Sequence, residues 1–94
     1  MEHSSQALVA TAKASGYLQQ LCKHFGHKTE VEFTSDAGRI AFDFGVAELA
    51  AGADGLSMTA NANTPDDLAR LRRVLASHLE RFAFREDLKI HWED

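Results

Sequence analysis

The chain has too little of several residue types to belong to some broad classes of protein. Its single cysteine cannot form an internal disulfide, which favours the reducing cytoplasm as its compartment. No apolar run approaches the ~20 residues that a membrane-spanning helix needs, and residues 1–5 lack the basic and apolar parts of a signal peptide. Ten basic against fourteen acidic side chains give a net charge of −4, which argues against binding to nucleic acid. We therefore expect a cytoplasmic protein with neither a membrane nor a nucleic acid as partner.

Proline and glycine are also scarce, and they form no linker that divides the chain. One proline and six glycines are spread over the 94 residues, and no segment repeats another. The apolar fraction of 45% and the charged fraction of 26% are ordinary for a soluble globular protein. The sequence predicts a single domain over residues 1–94.

The first third of the chain predicts a strand followed by a helix. Residues 6–12 alternate weakly between polar and apolar, as in a strand. Ser15 is a candidate N-cap of the helix, and Gly26 suits the left-handed position that follows a helix end. The apolar face of this helix is formed by Tyr17, Leu18, Leu21, Cys22 and Phe25.

The central third predicts four consecutive antiparallel strands. The period of the pattern changes to two after residue 29, so that Val31 faces away from Glu30 and Glu32. Each strand is then apolar on one face and polar on the other. The turn signals are residues 35–38, Gly45 and the Asp54-Gly55 pair.

The last third predicts a capped helix and a short strand. Thr64 is the expected N-cap, Pro65 occupies the first turn, and Asp66 complements the helix dipole. Residues 88–93 alternate as a final strand. The order is then β-α-β-β-β-β-α-β, an α+β two-layer sandwich in which two helices cover one face of an antiparallel sheet of five to six strands. The buried stripe of the second helix is Leu68, Leu71, Leu75, Leu79 and Phe82.

Two segments concentrate the residues that can carry chemistry. Residues 21–28 and 78–86 hold three of the five histidines, the only cysteine and three of the six phenylalanines. Each segment lies at the C-terminal end of a predicted helix, where positive charge is favoured. If the two ends meet, they form one cationic patch that carries imidazoles. If the helices instead run antiparallel across the sheet, the patch does not form.

His78 is the most suggestive single residue, because it lies at the edge of the buried stripe with Arg81 and Arg85 on the same flank. Beside two guanidiniums, a partly buried imidazole stays neutral and is available as a ligand or a base. The alternative is a structural histidine that is hydrogen-bonded to a carbonyl or a carboxylate.

His24 and His27 are three residues apart and are candidate metal ligands together with His78. The helix stop between them weakens this spacing. Complementation of the helix C-terminus by these residues and Lys28 is the alternative explanation. Cys22 lies on the apolar face and is interpreted as a buried thiol rather than as a nucleophile.

The sheet offers two further hypotheses. Four acidic residues on predicted outward faces either cluster across the strands or form a solvated surface, and we favour the second interpretation. An exposed edge strand in so small a chain is one that a second copy can cover, which permits a homodimer. The acidic residues are Glu30, Glu32, Asp43 and Glu48.

The two histidine-bearing segments resemble a family of small bacterial proteins called domain of unknown function 2218. The resemblance lies in Tyr17-Leu18-x-x-Leu21-x-Lys23-His24-Phe25-x-His27-Lys28, in Gly38-x-Ile40-x-Phe42, and in residues 78–86 with the region near Trp92. It implies that His24, His27, His78 and Arg81 match recurring positions. It also implies a context, since similar domains stand alone or are appended to siderophore-interacting flavin reductases.

Three hypotheses about function follow. The first is a non-enzymatic cytoplasmic accessory domain that binds a small ligand such as iron, haem or an iron chelate. The second is a protein–protein adaptor that docks Phe84, Arg85 and the outward face of the strands onto a reductase or a transporter. The third is a small enzyme with His78 as general base, ranked last because no second catalytic group can be named. For the first hypothesis the ligand-binding residues are His24, His27, Lys28, His78, Arg81 and Arg85.

Overall fold

The chain folds as one antiparallel sheet of five strands covered by two helices. The computed structural model describes residues 2–94. The strands lie side by side in the order β1-β5-β4-β3-β2. The predicted α+β class and the order β-α-β-β-β-β-α are thereby confirmed. The elements are β1 (His3–Val9), α1 (Ala14–Phe25), β2 (Glu30–Phe33), β3 (Ala37–Phe42), β4 (Gly45–Gly52), β5 (Gly55–Ala62) and α2 (Pro65–Phe82).

The register of the sheet separates an apolar face from a polar one. Val31 is opposite Ile40 on the helix-covered face, whereas Glu32 is opposite Arg39 on the other face. Arg39 is in turn opposite Glu48 of β4. The alternation read from the sequence is therefore the alternation of the sheet, because successive side chains of a strand point to opposite faces.

Both helices bury their apolar stripes on the same face of the sheet. Helix α1 packs on β2 to β5, and α2 packs on β1, β4 and β5. Helix α2 begins as predicted: the Asp67 amide donates to the hydroxyl of Thr64, and Pro65 follows the cap. The fully buried side chains of the helices include Leu18, Leu21, Cys22, Leu71, Leu75 and Leu79.

Helix α1 begins and ends differently from the prediction. Its N-cap position is Lys13, and Ser15 lies inside the helix with its hydroxyl donating to the Ser35 carbonyl at 2.6 Å. Ser15 thus ties the helix to the β2–β3 turn and caps nothing. Gly26 has φ −62°, so it continues the right-handed turn and is not left-handed. Its amide still closes the last turn by donating to the Cys22 carbonyl at 2.9 Å.

The ends of the chain also depart from the prediction. Strand β1 spans His3–Val9 and not residues 6–12. The segment predicted as a last strand makes one bridge only, between Glu93 and Gln6. Ile90 and Trp92 lie beside α2 instead, where they line a groove with that helix. The alternation of residues 88–92 therefore reflects packing of a tail against α2 rather than a strand.

Neither helix in the described residues combines the length and the apolarity that crossing a bilayer requires.

Candidate functional site

The last turn of α1 presents polar residues beside an aromatic one. Leu21 and Cys22 are buried against the sheet, Phe25 is half-buried, and Lys23 and His24 are exposed. This arrangement follows from the helical period, which puts Leu21 and Phe25 on one face and His24 at its border.

The last turns of α2 fix the imidazole of His78. Its Nδ1 lies 2.7 Å from the Val74 carbonyl oxygen, four residues earlier. A carbonyl can only accept a hydrogen bond, so Nδ1 carries the proton. In the neutral ring, Nε2 then holds the free lone pair. His78 is thus hydrogen-bonded to a backbone carbonyl, as the alternative interpretation from the sequence expects. The same bond is the one that orients ligating histidines in metal sites.

The C-terminal ends of the two helices meet. The ring centroids of His24 and His78 are 4.9 Å apart. Phe25 lies 4.8 Å from His78, and Phe82 lies 5.6 Å from His24, again between centroids. The condition on which the predicted patch depended is thus met, because α1 and α2 bring their last turns into contact.

Aromatic rings from the sheet extend this contact. Phe25 packs edge-on against Phe42 at 5.0 Å, and Phe42 stacks on Phe44 at 5.1 Å. The Arg70 guanidinium covers the Phe44 ring at 3.9 Å, a cation–π contact. Sequence reasoning missed Phe44 and Arg70 because their positions in a turn and on the outer side of α2 carry no ligand signal. We call the following six residues the imidazole–phenyl cluster: His24, Phe25, Phe42, Phe44, His78 and Phe82.

Positive groups surround His24. Its pKa is lowered, first because packing partly dehydrates the ring although the residue stays exposed, and then because neighbouring positive charges repel its proton. His24 is therefore neutral at neutral pH and retains a lone pair. Of the six predicted ligand-binding residues, His24 and His78 are in contact, and Arg81, His27 and Lys28 act on His24 electrostatically. The groups that act on His24 are His78, Arg81, His27 and Lys28.

Arg85, the sixth predicted residue, makes a different contact. Its guanidinium carbon lies 5.5 Å from the centroid of the Phe84 ring. Phe84 is 76% exposed, the most exposed large apolar side chain among the described residues. The two side chains form a pair at the surface just beyond α2.

The predicted metal set of His24, His27 and His78 is not assembled as a triad. Among residues 2–94, no three His, Cys, Asp or Glu side chains are arranged to hold a metal ion. Of the three, His24 and His78 bring their rings together, and His27 lies in the turn after α1.

A pocket opens beside the imidazole–phenyl cluster. It has a volume of about 340 Å³, and the cluster residues Phe42 and Phe44 form part of its wall. Lys28 contributes a positive charge to the lining, whereas Glu30 and Asp43 contribute negative ones. The volume lies at the lower end of the range for small-molecule pockets.

Cys22 is interpreted correctly as a buried thiol. Its side chain is fully buried, and burial raises its pKa to about 11. A thiol that stays protonated at neutral pH is a poor nucleophile. Its sulfur packs against the Cα of Gly38, where an added Cβ would come within 2.7 Å of it.

The acidic residues of the sheet form no common site. Glu32 and Glu48 flank Arg39 in one cross-strand row, whereas Glu30 is opposite Ala41. Asp43 lies in the β3–β4 turn. This arrangement agrees with the favoured interpretation of a solvated cross-strand surface.

A polar network behind α1 has no local signal in the sequence. The Tyr17 hydroxyl donates to a carboxylate oxygen of Glu86, and the Thr11 hydroxyl donates to the other oxygen at 3.1 Å. The bond to Glu86 raises the pKa of Tyr17 to about 12, with burial adding to it. Because Tyr17 and Glu86 are 69 residues apart, no spacing rule could pair them.

By its fold and its site, the protein belongs to the class of two-layer α+β domains, and it presents an imidazole–phenyl cluster where its two helices end. Over residues 6–93 the sequence matches the family described as "Uncharacterized protein conserved in bacteria (DUF2218)", and the chain belongs to this family. The resemblance seen in the sequence is thereby confirmed.

A solved structure supports the fold. The chain is similar to the NMR structure of PA4090 from Pseudomonas aeruginosa, with 42% identity and a TM-score of 0.81. The match covers 96% of this chain and 94% of the other. No curated protein matches the sequence.

Proposed function

We propose that this chain is a bacterial cytoplasmic accessory domain that binds a small, flat, anionic ligand at the imidazole–phenyl cluster. One observation carries the proposal: the ends of two helices place the rings of His24 and His78 4.9 Å apart among positively charged neighbours. Aromatic rings offer a surface for stacking, and guanidinium and ammonium groups offer partners for carboxylates.

The ligand class follows from this combination. Haem and other anionic iron chelates have an extended or flat body with carboxylate or similar groups at the rim. Arg81 and Lys28 are the partners for those groups, and His24 and His78 are the partners for the body. The resemblance to domains appended to siderophore-interacting flavin reductases favours the same class.

The experiment follows the imidazole signals by long-range proton–nitrogen NMR while haem or ferric citrate is added. We expect His24, His27 and His78 to shift together, and His3 and His91 to stay unchanged. Arg81→Gln should weaken binding about tenfold, which is the loss of one charge-assisted contact. Arg73→Gln is the matched control, because Arg73 is also exposed on α2. Absence of any shift at millimolar ligand contradicts the proposal.

An adaptor function is the second candidate, because Phe84 is 76% exposed beside Arg85. Aromatic and arginine side chains are the common anchors of protein interfaces. With a siderophore-interacting flavin reductase as bait, Phe84→Ala and Arg85→Ala should abolish capture without lowering the thermal midpoint. Arg73→Ala is the control, since Arg73 is also an exposed cationic residue but lies within α2. Equal capture by all variants rules the adaptor out.

A further inference from the structure

We propose that His24 and His78 form a two-imidazole site for a divalent transition-metal ion that arrives with an anionic chelator and two open coordination positions. The inference rests on the proposed function in using the same cluster. It narrows the ligand to chelates with two neighbouring open positions, which does not include haem, whose open positions lie on opposite faces of the ring. The metal is of the kind that imidazole nitrogen suits, such as nickel, copper, zinc or ferrous iron.

The separation of the rings fits a shared metal. A metal–nitrogen bond of about 2 Å at two neighbouring coordination positions places the ring centres about 4.5–5 Å apart. The centroids of His24 and His78 are 4.9 Å apart, with their planes tilted by 49°. The tilt excludes flat stacking of the two rings as the reason for their closeness.

Both rings have a lone pair to donate. His78 uses Nδ1–H for its bond to the Val74 carbonyl, which leaves Nε2 as its donor atom. His24 is exposed, so a ring nitrogen of its neutral form is accessible to a ligand. Metal binding to imidazole requires this neutral form.

Within residues 2–94, these two imidazoles have no third His, Cys, Asp or Glu arranged with them to complete a coordination sphere. The Arg81 and Lys28 side chains repel a bare cation and attract a chelate of negative charge. The site therefore selects a metal whose remaining positions are already occupied by an anionic chelator.

Nickel nitrilotriacetate is the direct probe, because this anionic chelate leaves two coordination positions free. Nickel ethylenediaminetetraacetate is the matched control ligand, because it is anionic and leaves none. By titration calorimetry on the full chain we expect the first chelate to bind at least tenfold more tightly than the second. His24→Gln and His78→Gln should each remove this preference, and His91→Gln should keep it.

Each result has one meaning for the inference. Preference for the nitrilotriacetate complex that depends on His24 and His78 supports it. Equal binding of both chelates, or an unchanged preference in His24→Gln, overturns it. Since His24 is exposed, that variant should fold, and circular dichroism checks this. If both chelates bind equally and Arg81→Gln weakens both, the anion-binding function stands and metal coordination falls. If neither chelate binds and haem and ferric citrate also fail, both proposals fall.

Discussion

At the scale of single residues, Tyr17 and Glu86 form a polar interaction between distant parts of the chain. Tyr17 is buried as a residue, and its hydroxyl donates to the Glu86 carboxylate, which also accepts from Thr11. The pKa of Tyr17 is raised first by this hydrogen bond to Glu86, then by burial, and last by the negative charge of Glu86 that a phenolate would face.

The phenol of Tyr17 should therefore lose its proton at a higher pH in the folded protein than in the unfolded chain. Tyr17 is the only tyrosine, so absorbance at alkaline pH reports it alone. We expect a native midpoint at about 12, against the ordinary value of 10.0 in urea. Because the folded pKa is the higher one, the stability that this bond contributes is present below pH 10.0 and is lost as the pH rises through about 12. Glu86→Gln should lower the midpoint, and Glu80→Gln should not. A native midpoint near the ordinary value would refute the bond.

The lowered pKa of His24 predicts that the stability of the fold depends on pH in the opposite direction. Its folded pKa is below the ordinary value of 6.5, so the unfolded chain binds more protons in acid. The favourable state, with a neutral ring, is complete above pH 6.5, and stability falls as the pH drops towards the folded pKa. In urea unfolding between pH 7 and pH 5, we expect wild type to lose more stability than His24→Gln. His91→Gln is the control and should behave as wild type. Identical losses in wild type and His24→Gln would contradict this account of the site.

At the scale of elements, the start of α2 depends on one hydroxyl. The amide of Asp67 donates to Thr64 Oγ1 at 3.1 Å. Thr64→Ala removes the acceptor and should lower the free energy of unfolding by about 1 kcal/mol. Thr64→Ser keeps the acceptor and is the control. Urea unfolding measures both, and a neutral Thr64→Ala would show that the cap contributes nothing.

The hairpin between β4 and β5 offers a paired test at two glycines that face each other. Gly55 has φ +147°, and a Cβ there would lie 2.1 Å from the Val9 carbonyl oxygen. A Cβ added at Gly52 would have no atom within 4 Å of it. We expect Gly55→Ala to destabilise the fold by about 3 kcal/mol or more, in the range of overpacking with backbone strain. Gly52→Ala should cost less than about 1 kcal/mol. Similar thermal midpoints for the two variants would contradict the close approach of β1 to this turn.

The sequence predicted those elements whose signal is local. The alternation around Val31 and the leucine stripe of α2 were sufficient, because each element buries one face against the same core. The start of β1 was missed because His3 and Ser4 have no strand signal of their own; their partners in β5 make them a strand. Ser15 was taken for a cap because the Ser35 carbonyl that it bonds is 20 residues away.

The candidate site shows the same division. That His24 and His78 lie at helix ends could be predicted, since each end is marked by local sequence. That the two helix ends meet could not be predicted from the sequence, because it depends on how both helices cross the sheet. The contact of Arg70 with Phe44 and the bond of Tyr17 to Glu86 are equally non-local.

At the scale of the whole molecule, the C-terminal tail closes the β1 edge of the sheet. Gln6 and Glu93 exchange backbone hydrogen bonds at 2.7 and 2.8 Å, and the Arg72 guanidinium pairs with Asp94 at 3.0 Å. Deletion of residues 88–94 should therefore speed amide hydrogen exchange at Gln6. The amide of Ala47, in the middle of the sheet, is the control and should stay protected. Unchanged exchange at Gln6 would show that the tail does not hold this edge.

The strand order β1-β5-β4-β3-β2 determines the order in which the strands can pair during synthesis. Strands β2 to β5 pair with their neighbours in the chain and can close as hairpins when each turn has left the ribosome. Strand β1 is made first, yet its partner β5 ends at Ala62, so β1 must wait until that residue has emerged. At about 5–20 residues per second this takes several seconds. During that time an alternating strand with an unpaired backbone is exposed, which makes the N-terminal segment a natural point of contact for a chaperone on the nascent chain.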